Sequence, residues 1–474
     1  MSTPAGRLHR VVGIETEYGV TSSYLGPEAH EGMPLSVEDA VQELFRGAES
    51  VPSGTHRFTT SGARLYVDIG LHPEFAGPEC LWVSDVVAQD LAGDARLHAM
   101  AQAANERLAP RGARVHVLKS NVDGWGATFG CHENYQVERG FRLPLGGLIG
   151  LLAARQVLAG AGALPAPDQN PAAGPIGPLR YSARAEHIRT AASDDPTHER
   201  AFVNTRDEPH ADAGRWRRLH VVAADSAISP WTTALKVVLL DAALTVAERG
   251  LWDLAECELV NPAAAARAWS LDPLTPCARP ERGPVTCPQL LEAALDRLGV
   301  LAPAHDALST RVMDLARRGT QALRTGDIAT VSTELDWAIK YVVLARVAER
   351  APLGWADPRV RRAELAYHDL SPVTGLREPL TTAGLLTPLV GAEEVQAACE
   401  RAPDGTRAAL RGRVVEACNR TRRLASIGWA HVRLDCPPSP QIDLLDPQAA
   451  DSPPVEALLE RIEELGPWEG GPGC

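Results

Sequence analysis

VVGIETEYGV, residues 11–20, sets the architecture expected for this chain. The segment is apolar and β-rich, so it predicts a strand, whose two-residue period places Glu15 and Glu17 on the same face. A second strand of the same kind is predicted in GARLYVDIG, residues 62–70, and Glu74 follows shortly after it. The polar side chains that share one face of this second strand are Arg64, Tyr66 and Asp68.

Carboxylates on core strands point to a site with a cation. Their burial is expensive unless a hard cation or an arginine neutralises them, and oxygen ligands of this kind suit Mg²⁺ carried by a nucleotide. The alternative is that Glu15 and Glu17 lie on the solvated face of a half-exposed sheet, which is the usual situation for an isolated Glu-x-Glu. The apolar residues around the pair, and the repeated pattern in the second strand, favour the site.

The length of 474 residues exceeds the size at which a single core keeps growing, so a large domain and a smaller one are expected. A break in composition at residues 401–406, RAPDGT, predicts a catalytic domain over residues 1–400 and a small C-terminal domain with a flexible tail over residues 401–474. The predicted strands with carboxylates and the predicted helices indicate an α+β fold class for the large domain.

The net charge, the lengths of the apolar runs and the spacing of the cysteines argue against several classes of protein. The net charge of −13 argues against non-specific binding of nucleic acid. No apolar run reaches the ~18 residues of a membrane span, and the N-terminus lacks the apolar region of a signal peptide, so we expect a cytoplasmic protein with no membrane partner. The nine cysteines form no C-x-x-C pair, which argues against structural zinc.

Further elements follow from local patterns. Helical spacing predicts a helix over residues 84–108, with Ser84 as its N-cap. RVHVLK, residues 114–119, alternates as a strand, and an apolar helix is predicted over residues 143–159. The Pro-, Ala- and Gly-rich segment at residues 161–178 predicts an exposed insertion.

Neither a P-loop nor a Rossmann fingerprint is present, so a Gly-rich loop at a helix N-terminus is not expected to hold the nucleotide. A sheet lined with carboxylates is the solution of glutamine-synthetase-like ligases. Eight motifs in order make the chain resemble the Pup ligase (proteasome accessory factor A) family of that superfamily. They are GIETEYGV, GARLYVD with HPEFAGPEC, GCHENY, RAEHI, NTRDEPHAD with RRLHV, TELDWAIK, LAYHD and TRAALRG.

The resemblance implies an α+β large domain with a curved, mainly antiparallel sheet lined by carboxylates and packed by helices. It also implies an ATP-dependent ligase. Such an enzyme phosphorylates the side-chain carboxylate of the C-terminal glutamate of Pup, a disordered, acidic, ubiquitin-like protein, and joins it by an isopeptide bond to a lysine of a target protein, which is thereby marked for the proteasome. The implied cofactors are ATP and Mg²⁺.

The resemblance also implies roles for individual residues. Glu15, Tyr66 and Glu74 match Mg²⁺ ligands, and Glu17 lies beside them. Asp68 matches the catalytic base, and a carboxylate there suits removal of a proton from a lysine ammonium. The ATP contacts implied by the family are Arg64, Gly77 and Trp429. Gly77 stands where the family usually has Thr, so only its backbone N–H remains as a donor.

Other functions are kept as alternatives. The Pup deamidase and depupylase shares the fold, but it tends to read GTEVE and SHENY where this chain reads GIETE and CHENY, and it carries a long insertion for which the 48 residues between Gly13 and Gly62 leave no room. A small-molecule carboxylate–amine ligase would share the carboxylate-lined sheet. A non-catalytic scaffold is the third alternative, against which the intact Mg²⁺-ligand set argues.

Overall fold

The computed structural model describes residues 5–26, 32–46, 57–123, 126–166, 174–195, 199–301 and 306–468. The strands in this part of the chain are β1 Arg7–Glu17, β2 Gly19–Tyr24, β3 Arg57–Phe58, β4 Arg64–Asp68, β5 His72–Ala76, β6 Cys80–Trp82, β7 Ala113–Leu118, β8 Cys131–Glu138, β9 Thr190–Ser193, β10 Ala201–Asn204, β11 Trp216–Val221, β12 Cys277–Arg279, β13 Arg282–Val285, β14 Ala425–Ile427, β15 His431–Leu434 and β16 Ile442–Asp443. The α-helices are α1 Val37–Phe45, α2 Val83–Leu108, α3 Leu145–Leu158, α4 Pro230–Glu248, α5 Pro262–Leu271, α6 Cys287–Leu301, α7 Ala307–Thr325, α8 Asp336–Arg350, α9 Pro358–His368, α10 Arg377–Thr382, α11 Ala392–Glu400, α12 Arg407–Thr421 and α13 Pro453–Leu465.

A nine-stranded sheet forms the centre of the molecule, in the order β3-β4-β5-β1-β8-β11-β10-β9, with β6 also pairing with β1. Every pairing is antiparallel except that of β9 with β10. The α+β class and the mainly antiparallel sheet are therefore confirmed.

One face of the sheet is covered by helices. Val12 and Ile14 of β1 are buried in the same hydrophobic core as residues of α2, α3 and α4. Since side chains alternate along a strand, Glu15 and Glu17 project from the opposite face. By length and apolar composition α4 meets the criteria for a membrane-crossing helix, but it is entirely buried inside this fold.

The register of β8 decides which of its side chains face the helices, and Glu133 is one of them. It is fully buried on the helix-covered side of the sheet, where the guanidinium of Arg155 in α3 contacts its two oxygens at 2.7 and 2.6 Å. Arg155 also donates to the carbonyl oxygen of Lys236 in α4. This ion pair joins two helices to the sheet, and it leaves the neighbouring His132 and Asn134 to face the other side.

The C-terminal part has a core of its own. Residues of α12, α13 and the sheet β14-β15-β16 form a hydrophobic cluster separate from the main core. The predicted division into a domain over residues 1–400 and a small domain over residues 401–474 stays a prediction. Most of the predicted flexible tail, residues 469–474, lies outside the described residues.

Two local predictions were wrong. The helix α2 begins at Val83 after Trp82, and Ser84 is not its N-cap, because the Ser84 hydroxyl accepts a hydrogen bond from the backbone N–H of Ala5.

The segment at residues 161–178 is not simply an exposed insertion, since Ala161 and Ile176 are 1% and 2% exposed and Ile176 packs into the main core. Residues 167–173 of that segment lie outside the described residues.

Candidate active site

The strand register gathers the predicted polar residues on the uncovered face of the sheet. Glu17 of β1 lies opposite Glu74 of β5, and Glu74 lies opposite Tyr66 of β4. On the other side of β1, Glu15 lies opposite His132 of β8. The two strands predicted from the sequence are thus separated by one strand, β5, and together they form a continuous polar surface.

Glu17, Asp68 and Glu74 form the first cluster, in which one oxygen from each lies within 4.8 Å of the others. Burial and the charges of Glu15 and Glu17 raise the pKa of Glu74 well above its usual value. Burial, followed by the charge of Glu74, also raises the pKa of Tyr66, whose side chain is hydrogen-bonded to Glu74. This density of carboxylates fits a hard cation, which would relieve their mutual repulsion.

Glu15, His132 and His220 form the second cluster of candidate ligands. Glu15 lies 3.2 Å from Nδ1 of His132 and accepts a hydrogen bond of 3.0 Å from the amide of Asn134. Burial alone would raise the pKa of Glu15, but the hydrogen bond to His132 and the nearby guanidinium of Arg218 help to outweigh it, and the pKa is lowered. Burial lowers the pKa of His220 to about 3, so this imidazole is neutral at pH 7 and keeps a lone pair for a cation.

Asp68 lies at the end of β4, opposite His72 at the start of β5. Nδ1 of His72 is 2.8 Å from a carboxylate oxygen of Glu17. His72 therefore links Asp68, which lies opposite it on β4, to Glu17 on β1. Burial would raise the pKa of Glu17, but the bond to His72 outweighs it and the pKa is lowered. On the same strand as Asp68, the Arg64 guanidinium lies over the ring of Tyr66 at 4.6 Å.

A cavity opens beside Glu15, between the sheet and the C-terminal part of the chain. Its lining includes Gly77, Trp429 and the two arginines Arg218 and Arg407. An aromatic side chain and guanidinium groups next to a carboxylate cluster suit the base and the phosphates of a nucleotide. Two of the three predicted ATP contacts therefore line one cavity.

Gly77 does not have the free donor that the sequence suggested. Its backbone N–H donates to the carbonyl oxygen of Ile14 at 2.8 Å. A Cβ at this position would lie 3.0 Å from the same oxygen, so the close approach of β1 also restricts the side chain here. This N–H is therefore not free for a nucleotide, whereas Gly77 does line the cavity, and its assignment as an ATP contact stays a prediction.

Trp429 is held by aromatic and cationic neighbours. Its ring meets that of Phe58 edge to face at 5.1 Å, and the Arg411 guanidinium lies 4.9 Å from its centroid. Arg411 also donates to the carbonyl oxygen of Trp429 and forms an ion pair with Glu79. The orientation of Trp429 is therefore coupled to the turn between β5 and β6.

A second, larger cavity of about 750 Å³ lies at the other end of the polar face, and we call it the groove. His72 and Phe129 border it where it meets the first cluster. Its lining is mostly apolar, with Arg180 and Arg361 among the charged residues. The carboxylate clusters thus lie between the cavity beside Trp429 and the groove.

Sequence reasoning gave less weight to several residues of this site. Glu17 was placed beside the Mg²⁺ ligands, whereas the structure puts it in the first cluster. His132 and His220 are not among the site residues predicted from the sequence, although both belong to the second cluster. Asn134 belongs to the quoted motif GCHENY, and its period of two with His132 is the signal that places both beside Glu15.

The sequence matches the family described as Pup-ligase protein over residues 10–433. The chain belongs to the Pup-ligase family. It is 39% identical over 464 residues to the Pup–protein ligase of Brachybacterium faecium, covering 96% of both chains. It is 38% identical over 470 residues to the Pup–protein ligase of Kocuria rhizophila, covering 96% of this chain and 98% of the relative.

Two solved structures of this family are similar to the chain. A crystal structure of the complex between the prokaryotic ubiquitin-like protein Pup and its ligase PafA matches with a TM-score of 0.86 and 32% identity, covering 96% of this chain and 93% of that one. The Pup ligase PafA in complex with ADP matches with a TM-score of 0.80 and 31% identity, covering 94% and 98%.

Proposed function

We propose that this Pup-ligase family member uses ATP to join the side-chain carboxylate of the C-terminal glutamate of Pup to a lysine of a target protein, which is thereby marked for the proteasome. The observation that carries the proposal is the carboxylate-lined face between the cavity beside Trp429 and the groove. The relatives named Pup–protein ligase and the PafA structures with Pup and with ADP support it. The proposed location is the cytoplasm, where ATP is supplied.

In the first step, an oxygen of the glutamate side chain attacks the γ-phosphorus of ATP, giving an acyl phosphate and ADP. The proposed contacts of the nucleotide are Arg64 with the phosphates and Trp429 with the base. The fixed fork of a guanidinium suits phosphate oxygens, and an indole ring suits stacking on a purine.

The residues proposed to hold Mg²⁺ are Glu15, Tyr66 and Glu74. The raised pKa of Glu74, caused by burial and then by the charges of Glu15 and Glu17, supports a cation near this group. The two histidines beside Glu15 add nitrogen donors to the oxygen set. When bound, Mg²⁺ would neutralise phosphate and carboxylate charge at the reacting centre.

In the second step, the amine of the target lysine displaces phosphate from the acyl phosphate and forms the isopeptide bond. A lysine ammonium has no lone pair, so a proton must leave it first. Asp68 is the proposed acceptor of that proton, since it lies at the end of β4 in the first cluster. General base catalysis of this kind contributes about 10²- to 10⁴-fold.

The groove is the proposed path for the C-terminal segment of Pup. Its lining is mostly apolar, which suits a chain that orders on binding, and its arginines Arg180 and Arg361 form ion pairs with Glu186 and Glu364. Arg217 and Arg218 line the cavity beside Trp429 rather than the groove. Arg218 also forms an ion pair with Glu208.

The test separates the two steps. With Pup, MgATP and hydroxylamine, the acyl phosphate is trapped as a hydroxamate without a lysine. We expect Asp68→Asn to keep hydroxamate formation within a few-fold of the native rate and to lose about 100-fold or more of lysine transfer. Asp296→Asn, at an exposed position of α6, is the matched control. Equal loss of both activities would contradict a role of Asp68 as the base for the amine.

A further inference from the structure

The chain contains only three lysines, and all of them are buried. Lysine accounts for three of the 47 lysine and arginine residues, at positions Lys119, Lys236 and Lys340. Their exposed fractions are 0%, 2% and 0%, and the described part of the chain includes every lysine of the sequence. A lysine is almost never fully buried unless it is paired, so each of these amines must find its partners inside the fold.

Two of the three amines lie on the helix-covered side of the sheet. Nζ of Lys119 contacts Asp90 at 2.8 Å and Asp94 at 3.1 Å, and both carboxylates belong to α2. Lys236 is part of α4, and its Nζ donates to the carbonyl oxygen of Asp225 at 2.7 Å. The sheet therefore separates both amines from the carboxylate clusters on the uncovered face.

Lys340 is the third lysine, and its contacts approach the groove from inside the fold. Its Nζ donates to the carbonyl oxygen of Gly162 and lies 2.9 Å from Nε2 of His368. Nδ1 of His368 lies 2.7 Å from the carbonyl oxygen of Lys119, so this nitrogen carries the proton and Nε2 accepts from Lys340. Gly162 and His368 line the groove, whereas Lys340 is 0% exposed. Burial lowers the pKa of Lys340, so the enclosure of this amine, rather than its charge, keeps it from reacting.

The cations near the reacting centre are arginines, which cannot accept the acyl group. Arg218 and Arg407 line the cavity beside Trp429, and the guanidinium of Arg64 lies over the ring of Tyr66. A guanidinium stays protonated in proteins and offers no lone pair to an acyl phosphate. A lysine at such a position would compete with the target, because groups held beside a reacting atom act at effective concentrations of about 10⁵ M or more.

We infer that the three lysines are withheld from the chain's own reaction, so that neither the same molecule nor a second copy attaches Pup to them. This inference rests on the proposed function. Transfer requires a neutral lysine nitrogen to attack the acyl carbon, with phosphate as the leaving group and the proton passing to a base. The amount of this ligase is then not controlled by conjugation of its own lysines to Pup.

The expected protection follows from the need to unfold. A buried amine reaches the active site of another copy only from an unfolded chain, and unfolded fractions are about 10⁻³ to 10⁻⁶. Conjugation to Lys119, Lys236 and Lys340 should therefore be at least about 10³-fold slower than conjugation to an exposed lysine.

The test adds one exposed lysine to the chain. Native protein, Arg324→Lys and Arg420→Lys are each incubated with MgATP and Pup ending in glutamate, without a target, and the conjugated positions are located by peptide mass mapping. The two arginine side chains are 51% and 58% exposed, on α7 and α12. We expect Pup at the substituted position of each variant and at least about 10³-fold less on the three native lysines. The matched controls Arg324→Gln and Arg420→Gln lose the same arginines without gaining an amine, and should carry no Pup at these positions.

Two further measurements separate the possible causes. Acetylation by a small amine reagent does not depend on the ligase, and the three lysines should react at least about 10³-fold more slowly in the folded protein than in urea. A separate target with an exposed lysine reports the activity of every variant. The inference is overturned if Pup appears on a native lysine as fast as at a substituted position, if the folded protein is acetylated as fast as the unfolded one, or if neither arginine-to-lysine variant is conjugated while the target is. Absence of any conjugate with the target would instead count against the proposed function itself.

Discussion

Replacing Glu79 by Gln should destabilise the contact between the sheet and the C-terminal part. Glu79 is 8% exposed and contacts Arg407 at 2.7 Å and Arg411 at 2.5 Å, and both arginines are buried. Burial alone would raise the pKa of Glu79, but Arg411 and Arg407 outweigh it and lower the pKa from 4.5 to about 2. At about 1.4 kcal/mol per pKa unit, this shift corresponds to about 3 kcal/mol of stability at neutral pH. Removing one partner of a buried ion pair costs about 3 to 5 kcal/mol, which agrees.

The assay is urea denaturation at pH 7, followed by circular dichroism and by tryptophan fluorescence, because Trp429 contacts Arg411. The matched control is Glu456→Gln, whose ion pair with Arg413 also involves α12 but is about half exposed, so its loss should cost below about 1 kcal/mol. If Glu79→Gln loses no more stability than this control, the reasoning about the buried ion pair is refuted.

The same ion pair has a defined pH dependence. Because the pKa of Glu79 is lower in the folded state than in the unfolded state, its contribution is fully present above pH 4.5 and is lost as the pH falls towards about 2. The difference in stability between native protein and Glu79→Gln should therefore shrink below pH 4.5. A difference that stays constant down to pH 3 would contradict this assignment.

Three further predictions concern other parts of the molecule. Trp429→Ala should raise the KM for ATP about 10-fold with a smaller change in kcat, because Trp429 lines the proposed nucleotide cavity. The control Trp468→Ala, at an exposed position, should leave the KM for ATP unchanged. Initial rates at varied ATP concentration measure both values. Gly150→Ala should cost about 2 to 3 kcal/mol in urea denaturation, because a Cβ there would lie 1.8 Å from the Cys257 carbonyl oxygen, and an unchanged midpoint would contradict that packing. Burial and the charges of Asp404 and Glu394 raise the folded-state pKa of Asp85 from 3.8 to about 6, so stability falls as the pH rises through this window. Asp85→Asn should accordingly stabilise the protein by about 1 to 2 kcal/mol at pH 7 and have no effect at pH 3.5, as measured by thermal melting at both pH values.

The polar face was predictable from the sequence because it follows from strand periodicity. Glu15, Glu17, Arg64, Tyr66 and Asp68 needed only alternation along two strands to be placed correctly on one face each. These residues come together because β5 pairs with both β1 and β4. Glu74 of β5 lies opposite Glu17 of β1 on one side and opposite Tyr66 of β4 on the other. A local sequence pattern predicts on which face of a sheet a side chain lies, whereas the pairing of strands distant in sequence determines which residues lie beside it.

The features that the sequence did not reveal depend on tertiary contacts. The N–H of Gly77 is used by Ile14 because β1 passes close to the turn after β5, and no local signal reports that approach. Ile176 is buried although its Pro- and Gly-rich surroundings suggest a surface loop, since the main core extends to it.

The most direct test of the proposed ligase is the intact mass of the product formed from purified protein, MgATP, Pup ending in glutamate and a target with a single lysine. We expect one species with the mass of Pup plus target minus one water, formed only with ATP and absent when the lysine is replaced by arginine. No conjugate from these components, together with release of target from a conjugate prepared in advance, would contradict the ligase and identify a depupylase.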